Sequence, residues 1–256
     1  MRKRTDAMNK WADIHDHDSD TSCAPRLCES CEARHQGICG ALTEPELLAL
    51  SKVSGKRVLE PGEMIVADAD EVDGYSNILT GVVKLSKTLN DGRQQIVELQ
   101  FAPDFLGRPF HAESHLTVDA ATSVRLCTFP KSTFDRMVAS NPELKQRILE
   151  QSLRQLDEAR DWMVTLGRKT AREKLASFLA YLARHVDPQR ATDDHTKPIV
   201  VELPLTRADM ADFLGLTIET VSRQLTALRK AGLIALVDSR HIEIPSIHRL
   251  SREAGD

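Results

Sequence analysis

The residues with the most reactive chemistry in this chain are its five cysteines, four of which fall between Cys23 and Cys39. Cys28, Cys31 and Cys39 stand in a C-x2-C-x7-C spacing, with Cys23 upstream of them. Three thiolates this close together can wrap one small inorganic centre, and soft sulfur suits zinc and iron–sulfur clusters alike. The spacing does not choose between the two. Zinc could recruit His35 as a fourth ligand, whereas an iron–sulfur cluster needs a fourth cysteine, and Cys127 is the one cysteine outside the segment. Pro25 and Gly37 predict a loop here, with few core residues.

A second set of recognising residues lies near the C-terminus. Glu219, Ser222, Arg223 and Thr226 recur at i, i+3, i+4 and i+7 and share one face of a helix, while Val221, Leu225 and Leu228 line the opposite face. Arginine can clasp guanine O6 and N7, glutamate can accept from cytosine N4, and serine can bond to either neighbour. Thr206 with Asp209 predicts a capped helix through Leu214, Gly215 a break, Thr217 the cap of the next helix and Gly232 its end. Two helices so joined predict a helix-turn-helix, whose second helix enters the major groove with its N-terminal residues, Thr217 included, at base edges. Arg207 and Arg240 are placed to meet phosphate.

The elements that must position these residues follow from periodicity. A helix capped by Thr43 runs to about Val53. Short strands follow at Arg57–Leu59, Met64–Val66, Tyr75–Leu79, Val82–Leu89, Gln94–Phe101, Thr117–Ala120 and Ser123–Phe129, with Asn90-Asp91-Gly92-Arg93 as a hairpin turn. They predict a small antiparallel roll of jelly-roll type. Asn141-Pro142 begins a long helix to about Leu166, on which Leu149, Leu153, Leu156 and Met163 form a coiled-coil seam interrupted by Arg160, the pattern of a dimer interface. Gly167-Arg168-Lys169-Thr170 predicts a hinge, Ala171–His185 a supporting helix and Val186–Lys197 a polar loop. Leu233–Val237 and His241–Ile244 predict a wing.

The fold class is therefore α+β. Its segments are a tail over 1–22, a cysteine-rich segment over 23–42, a β-roll over 43–140, a dimerisation helix over 141–167 and a winged helix-turn-helix over 168–256. Net charge is −4, yet from Arg168 onward 14 Lys and Arg face 12 Asp and Glu, against 20 and 26 in the rest. The basic excess sits where phosphate would be met. No apolar run is long enough to span a bilayer, and the opening MRKRTDAMNKWADIHDHDSD lacks the apolar core of a signal peptide, so a cytoplasmic protein without membrane contact is expected. In that reducing compartment, clustered cysteines point to metal or redox chemistry before disulfides. His15/His17 and His111/His115 are read as incidental histidines.

Residues 215–225, Gly-Leu-Thr-Ile-Glu-Thr-Val-Ser-Arg-Gln-Leu, resemble the recognition helix of the Crp/Fnr superfamily of bacterial regulators, and the E-x-x-S-R within them is similar to the FNR branch. The resemblance extends from about Cys28 to Ile244. It implies an inverted repeat of TTGAT-type half-sites in double-stranded DNA, read by Glu219, Ser222 and Arg223, and a cNMP-binding-like β-roll acting as sensor domain. It also implies a homodimer that works with RNA polymerase, mainly as an activator of anaerobic or microaerobic genes, nitrogen fixation among them. An oxygen-labile [4Fe-4S] cluster on Cys28, Cys31, Cys39 and Cys127 would control dimerisation; the x7 gap is similar to regulators of nitrogen-fixing and photosynthetic bacteria, and Cys23 falls outside the pattern.

The cyclic-nucleotide-responsive branch carries G-E-[LI] and R-S-A. Here the matching stretches read Phe105-Leu106-Gly107-Arg108-Pro109 and Val118-Asp119-Ala120-Ala121, which leaves a phosphate without its clamp, so no cyclic nucleotide is expected. No nucleophile–base set, paired carboxylates or phosphate loop appears in the roll, so no enzyme is expected. The alternative is a cluster-free regulator of the same type, controlled by zinc, thiol oxidation or expression level.

Overall fold

The computed structural model describes residues 28, 31–186 and 198–255. The expected tail over 1–22, Cys23 and all but the first residue of the expected loop Val186–Lys197 lie outside the described residues. The chain forms two compact units, one from the chain up to Val83 with Gln100–Leu153, the other from Lys84–Leu99 with the chain from Arg154.

The first unit begins with a short helix, α1 (Glu32–His35), and a 3-10 turn over Ile38–Ala41, followed by α2 (Glu44–Ser51). Strands β1 (Gly55–Leu59), β2 (Met64–Val66), β3 (Gly74–Thr80), β4 (Val82–Thr88), β5 (Gln94–Phe101), β6 (Phe105–Leu106), β7 (Thr117–Ala120) and β8 (Val124–Pro130) make two four-stranded sheets, ordered β1-β8-β3-β6 and β2-β7-β4-β5. The expected turn is present, with Leu89 N–H donating to Arg93 O at 2.8 Å and Gly92 at φ 87°. Three expected strands have the observed bounds: Met64–Val66, Gln94–Phe101 and Thr117–Ala120.

Helix α3 (Lys131–Ser140) closes the roll and was not expected from periodicity. Its Phe134 is fully buried with Tyr75, Phe105 and Phe129, at ring separations of 4.8 to 5.6 Å. Aromatic rings of this size dominate a small core. The cysteine segment is anchored to the same core, because Ile38, Ala41 and Leu42 belong to it and Cys39 packs beside them. The expectation of a loop with few core residues is thereby corrected: two helical turns of four residues, too short to show a periodicity, bury Ala33 and Ile38. Gly37 is required at the join, where a Cβ would lie 2.8 Å from Pro103 O.

Helix α4 (Pro142–Arg168) is continuous through Gly167, and the break falls at Lys169–Thr170, two residues later than expected. Near its start, the buried Gln151 accepts from Phe105 N–H at 3.1 Å and donates to Phe105 O at 2.8 Å. One amide thus satisfies both backbone groups of an edge residue that would otherwise be orphaned.

The second unit holds α5 (Ala171–Val186), β9 (Ile199–Glu202), α6 (Arg207–Leu214), α7 (Ile218–Lys230), β10 (Ala235–Leu236), β11 (His241–Ile244) and α8 (Ile247–Ala254). The wing sheet is ordered β10-β11-β9 and antiparallel; β9 and α8 are additions to the expected hairpin. Leu175, Phe178, Leu179 and Leu182 of α5 are buried, with Leu250 and Ala254 of α8. Among the described residues no helix is long and apolar enough to cross a membrane.

Candidate functional site

Helix α6 starts at a reciprocal capping box, with Asp209 N–H donating to Thr206 Oγ1 at 3.1 Å and Thr206 N–H to Asp209 Oδ2 at 3.2 Å. Its end is set by Gly215 at φ 61°, ψ 45°, a left-handed conformation that glycine adopts without a Cβ penalty. Thr217 caps α7 by accepting from Thr220 N–H at 3.2 Å. Each cap contributes about 1 kcal/mol. Val221, Leu225 and Leu228 are buried, at roughly 1.5–3 kcal/mol each, and this stripe seats α7.

Glu219, Ser222, Arg223 and Thr226 are all exposed on the other face, so the structure places the four base-reading candidates together. Thr217 lies exposed at the helix start but commits its oxygen to the cap. A hydrogen bond from its own backbone N–H, followed by one from the Thr217 hydroxyl, holds the Glu219 carboxyl below its ordinary range, so Glu219 is ionised there. Arg207 differs from expectation: it is half-buried, and its Nη1 is buried without a hydrogen-bond partner among the described residues, so it is no free surface cation. Arg240 is exposed at the wing turn, whose geometry is held by Asp238 accepting from the Arg240 and His241 N–H groups at 2.7 and 2.8 Å.

The cysteines approach one another from distant parts of the chain. Cys127 on β8 lies opposite Asn77 on β3 and opposite Lys56 on β1. The Asn77 amide donates to Cys39 Sγ at 3.1 Å, so Cys39 and Cys127 both adjoin this one side chain. Burial pushes the Cys39 thiol up to about 12, with the charge of Cys127 next, and pushes Cys127 up to about 11, where Cys28 and Cys31 add to the effect. Cys28 N-terminal to them is also raised, first by burial and then by Cys31. Four thiols that repel one another as thiolates form a donor set suited to a cation. Asn77, 1% exposed, has its Oδ1 buried without a partner among the described residues, a polar atom left over beside the sulfurs. None of the four is in a disulfide. Among the described residues, no three ligating side chains converge on one point. His35, the alternative zinc ligand, is exposed on α1. Sequence reasoning missed Asn77, since only strand register reveals it.

The long helix presents Leu149, Leu153, Leu156 and Met163 at 59, 51, 45 and 72% exposure, an apolar stripe facing solvent. Arg160 is exposed beside it and pairs with Asp157 at 2.9 Å. At the roll's β6 turn, Gly107 has φ 157° and a Cβ there would strike the Tyr75 ring at 2.4 Å, while Arg108 is exposed.

The model of the cyclic nucleotide-binding domain matches residues 56–141, and that of the Crp-like helix-turn-helix domain matches residues 173–253. A probable transcriptional activator of Rhizobium leguminosarum bv. viciae is 52% identical over 228 residues, covering 89% of this chain and 93% of that protein. Transcriptional activator protein FnrL of Cereibacter sphaeroides is 42% identical, covering 90% of this chain and 92% of its own length. The solved structure of FixK2 from Bradyrhizobium japonicum is similar at a TM-score of 0.69 and 27% identity, covering 78% of this chain and 96% of that one. A cyclic-nucleotide-type roll followed by a capped helix-turn-helix and its wing, in that order and with relatives along nearly the whole length, makes this chain a member of the Crp/Fnr family of transcription regulators.

Proposed function

We propose that the protein is an oxygen-responsive transcription activator of the cytoplasm that reads TTGAT-type inverted repeats as a homodimer and works with RNA polymerase on anaerobic or microaerobic genes, including those of nitrogen fixation. The observation that carries the oxygen response is the meeting of Cys39 and Cys127 at Asn77, with Cys28 and Cys31 close enough to disturb their charge. Cys28, Cys31, Cys39 and Cys127 would hold a [4Fe-4S] cluster, which when bound supplies an oxygen-reactive iron centre. Held by both Cys39 and Cys127, such a group would tie the N-terminal segment to β8 within the first unit. Leu149, Leu153, Leu156 and Met163 then bury their exposed stripe against a second copy, with Arg160 kept solvated through Asp157. Arg223, Glu219 and Ser222 of each copy contact base edges in successive major grooves, one helical turn apart. Arg240 meets phosphate from the wing.

Cyclic nucleotide has no part in this reading, because β7 offers Val118, Asp119 and Ala120 where a phosphate needs a cation. The second reading is a cluster-free regulator controlled by zinc, thiol oxidation or abundance, in which Cys28, Cys31, Cys39 and Cys127 act as the free thiols they are here. Iron and sulfide analysis of anaerobically purified protein separates the two, together with operator binding before and after aeration. A brown protein with four irons per chain that releases its operator in air supports the proposal; a colourless protein, or equal binding in air, overturns it.

A further inference from the structure

The first helix of the helix-turn-helix is held at both ends by residues outside the motif, all within the second compact unit. At its N-terminal end the Asp209 carboxylate divides its work: Oδ2 closes the capping box, accepting from Thr206 Oγ1 at 2.6 Å, and Oδ1 pairs with Lys84 Nζ from β4. The Lys84 and Asp209 side chains are 16 and 20% exposed, so this pair is largely withdrawn from water and escapes the screening that makes surface pairs weak. At the C-terminal end, Phe213 O accepts from Gln95 Nε2 at 2.9 Å, and the Phe213 ring meets Trp162 of α4 edge-on at 4.5 Å. Trp162 also contacts Tyr181 of α5 at 5.5 Å.

These contacts form a chain of packed parts. Trp162 stands on the helix that bears the exposed apolar stripe, Phe213 and Asp209 stand on α6, and α7 rides with α6 through its buried stripe. Two recognition helices must land one helical turn apart, about 34–36 Å, so a small rotation of α6 displaces α7 from its half-site. We propose that Lys84 and Trp162 are positioning residues that set the half-site spacing this protein accepts, without touching DNA themselves. The proposal rests on the reading of α7 as the base-reading helix of a homodimer.

The test uses the full-length dimer and an operator recovered by wild-type protein from a random duplex pool, so that it does not depend on the TTGAT assignment; a different recovered sequence would correct that assignment alone. Binding is measured to three duplexes: the recovered operator, the same operator with its half-sites moved apart by one base pair, and a single half-site. Lys84→Met and Trp162→Leu should each lose about tenfold on the recovered operator and leave the single half-site unchanged, so that preference over the shifted duplex shrinks. Lys84→Arg should restore it. Asp209→Asn, which keeps a capping acceptor and loses the charge, should match Lys84→Met, and the double variant should lose no more than either. An unchanged ratio between recovered and shifted duplexes in both Lys84→Met and Trp162→Leu overturns the proposal. So does an equal loss on the single half-site, which would mark a merely structural role.

Discussion

The Asn77 side chain on β3 donates to Cys39 Sγ at 3.1 Å, although 38 residues separate them, and Asn77 faces Cys127 across the β3–β8 register. An N–H···S bond draws charge from a ligand sulfur and slows its oxidation, as hydrogen bonds to sulfur tune such centres generally. On the proposed cluster assignment, Asn77→Leu, which keeps the volume and removes the donor, should therefore speed the loss of visible absorbance when anaerobically purified protein meets air, by severalfold. An unchanged decay rate would show the bond to be idle.

The metal-free protein should show the thiol shifts directly. Burial, followed by the charge of the neighbouring cysteines, pushes Cys39 up to about 12 and Cys127 up to about 11, so both stay as neutral thiols near pH 8. Since the thiolate is the nucleophile, iodoacetamide should label them slowly at pH 8 and faster as pH rises, and unfolding in urea should remove the delay. Peptide mass analysis of the labelled sites reads this out; prompt labelling of both in the folded apoprotein would contradict the packing around Asn77.

Arg223 is exposed at the middle of the reading face, its guanidinium donating to Thr220 Oγ1 at 3.5 Å. Arg223→Ala should cost about 1–3 kcal/mol of binding and relax preference at one base pair, because a bidentate pair to guanine is lost. Arg240→Ala on the wing should weaken all sequences alike and reduce the salt slope by about one. Competition binding over single-base operator variants distinguishes the two; a uniform loss in Arg223→Ala would remove it from base reading.

Burial would raise the Asp209 carboxyl, but the Lys84 and Thr206 hydrogen bonds outweigh it and leave the group below its ordinary value. A carboxylate depressed in the folded state stabilises above its unfolded value, about 3.9, and that contribution fades as pH falls through the lower folded value. Lys84→Met should therefore lower stability by about 1–3 kcal/mol at neutral pH. The gap to wild type should close below about pH 4. Urea unfolding across pH 3 to 7 reads the gap, and a gap independent of pH would assign the loss to packing of the lysine stem.

Leu153 is half-exposed on the apolar stripe of α4. Truncation to alanine forfeits about 1.5 kcal/mol per copy. Two copies per dimer make about 3 kcal/mol, or roughly a hundredfold in the dimer Kd. Sedimentation of Leu153→Ala measures it, and an unaltered dimer fraction would place the interface elsewhere.

Local signals carried the DNA-reading half into view. Thr206, Asp209, Gly215 and Thr217 act on neighbours within four residues, and Val221, Leu225 and Leu228 repeat along one helix, so their roles are written in adjacent letters and recur in the structure. The Asp-Gly turn and three strands with matching bounds were legible for the same reason. The helical turns around Cys39 and the strands β6 and β9 were not, because contacts distant in sequence make them: Ile38 and Ala41 join the core of the roll, Gln151 holds Phe105, and Ile199–Glu202 pairs with β11. What the sequence determined by itself is the set of parts: a cysteine-rich segment, a roll, a long helix with an apolar stripe and a capped reading helix. Only the tertiary structure decided that Asn77 bonds to Cys39 and pairs in register with Cys127, that Arg207 is half-buried, and that Lys84 reaches Asp209 across 125 residues. Strand register and helix docking bring such residues together through contacts far apart along the chain, which no local spacing encodes.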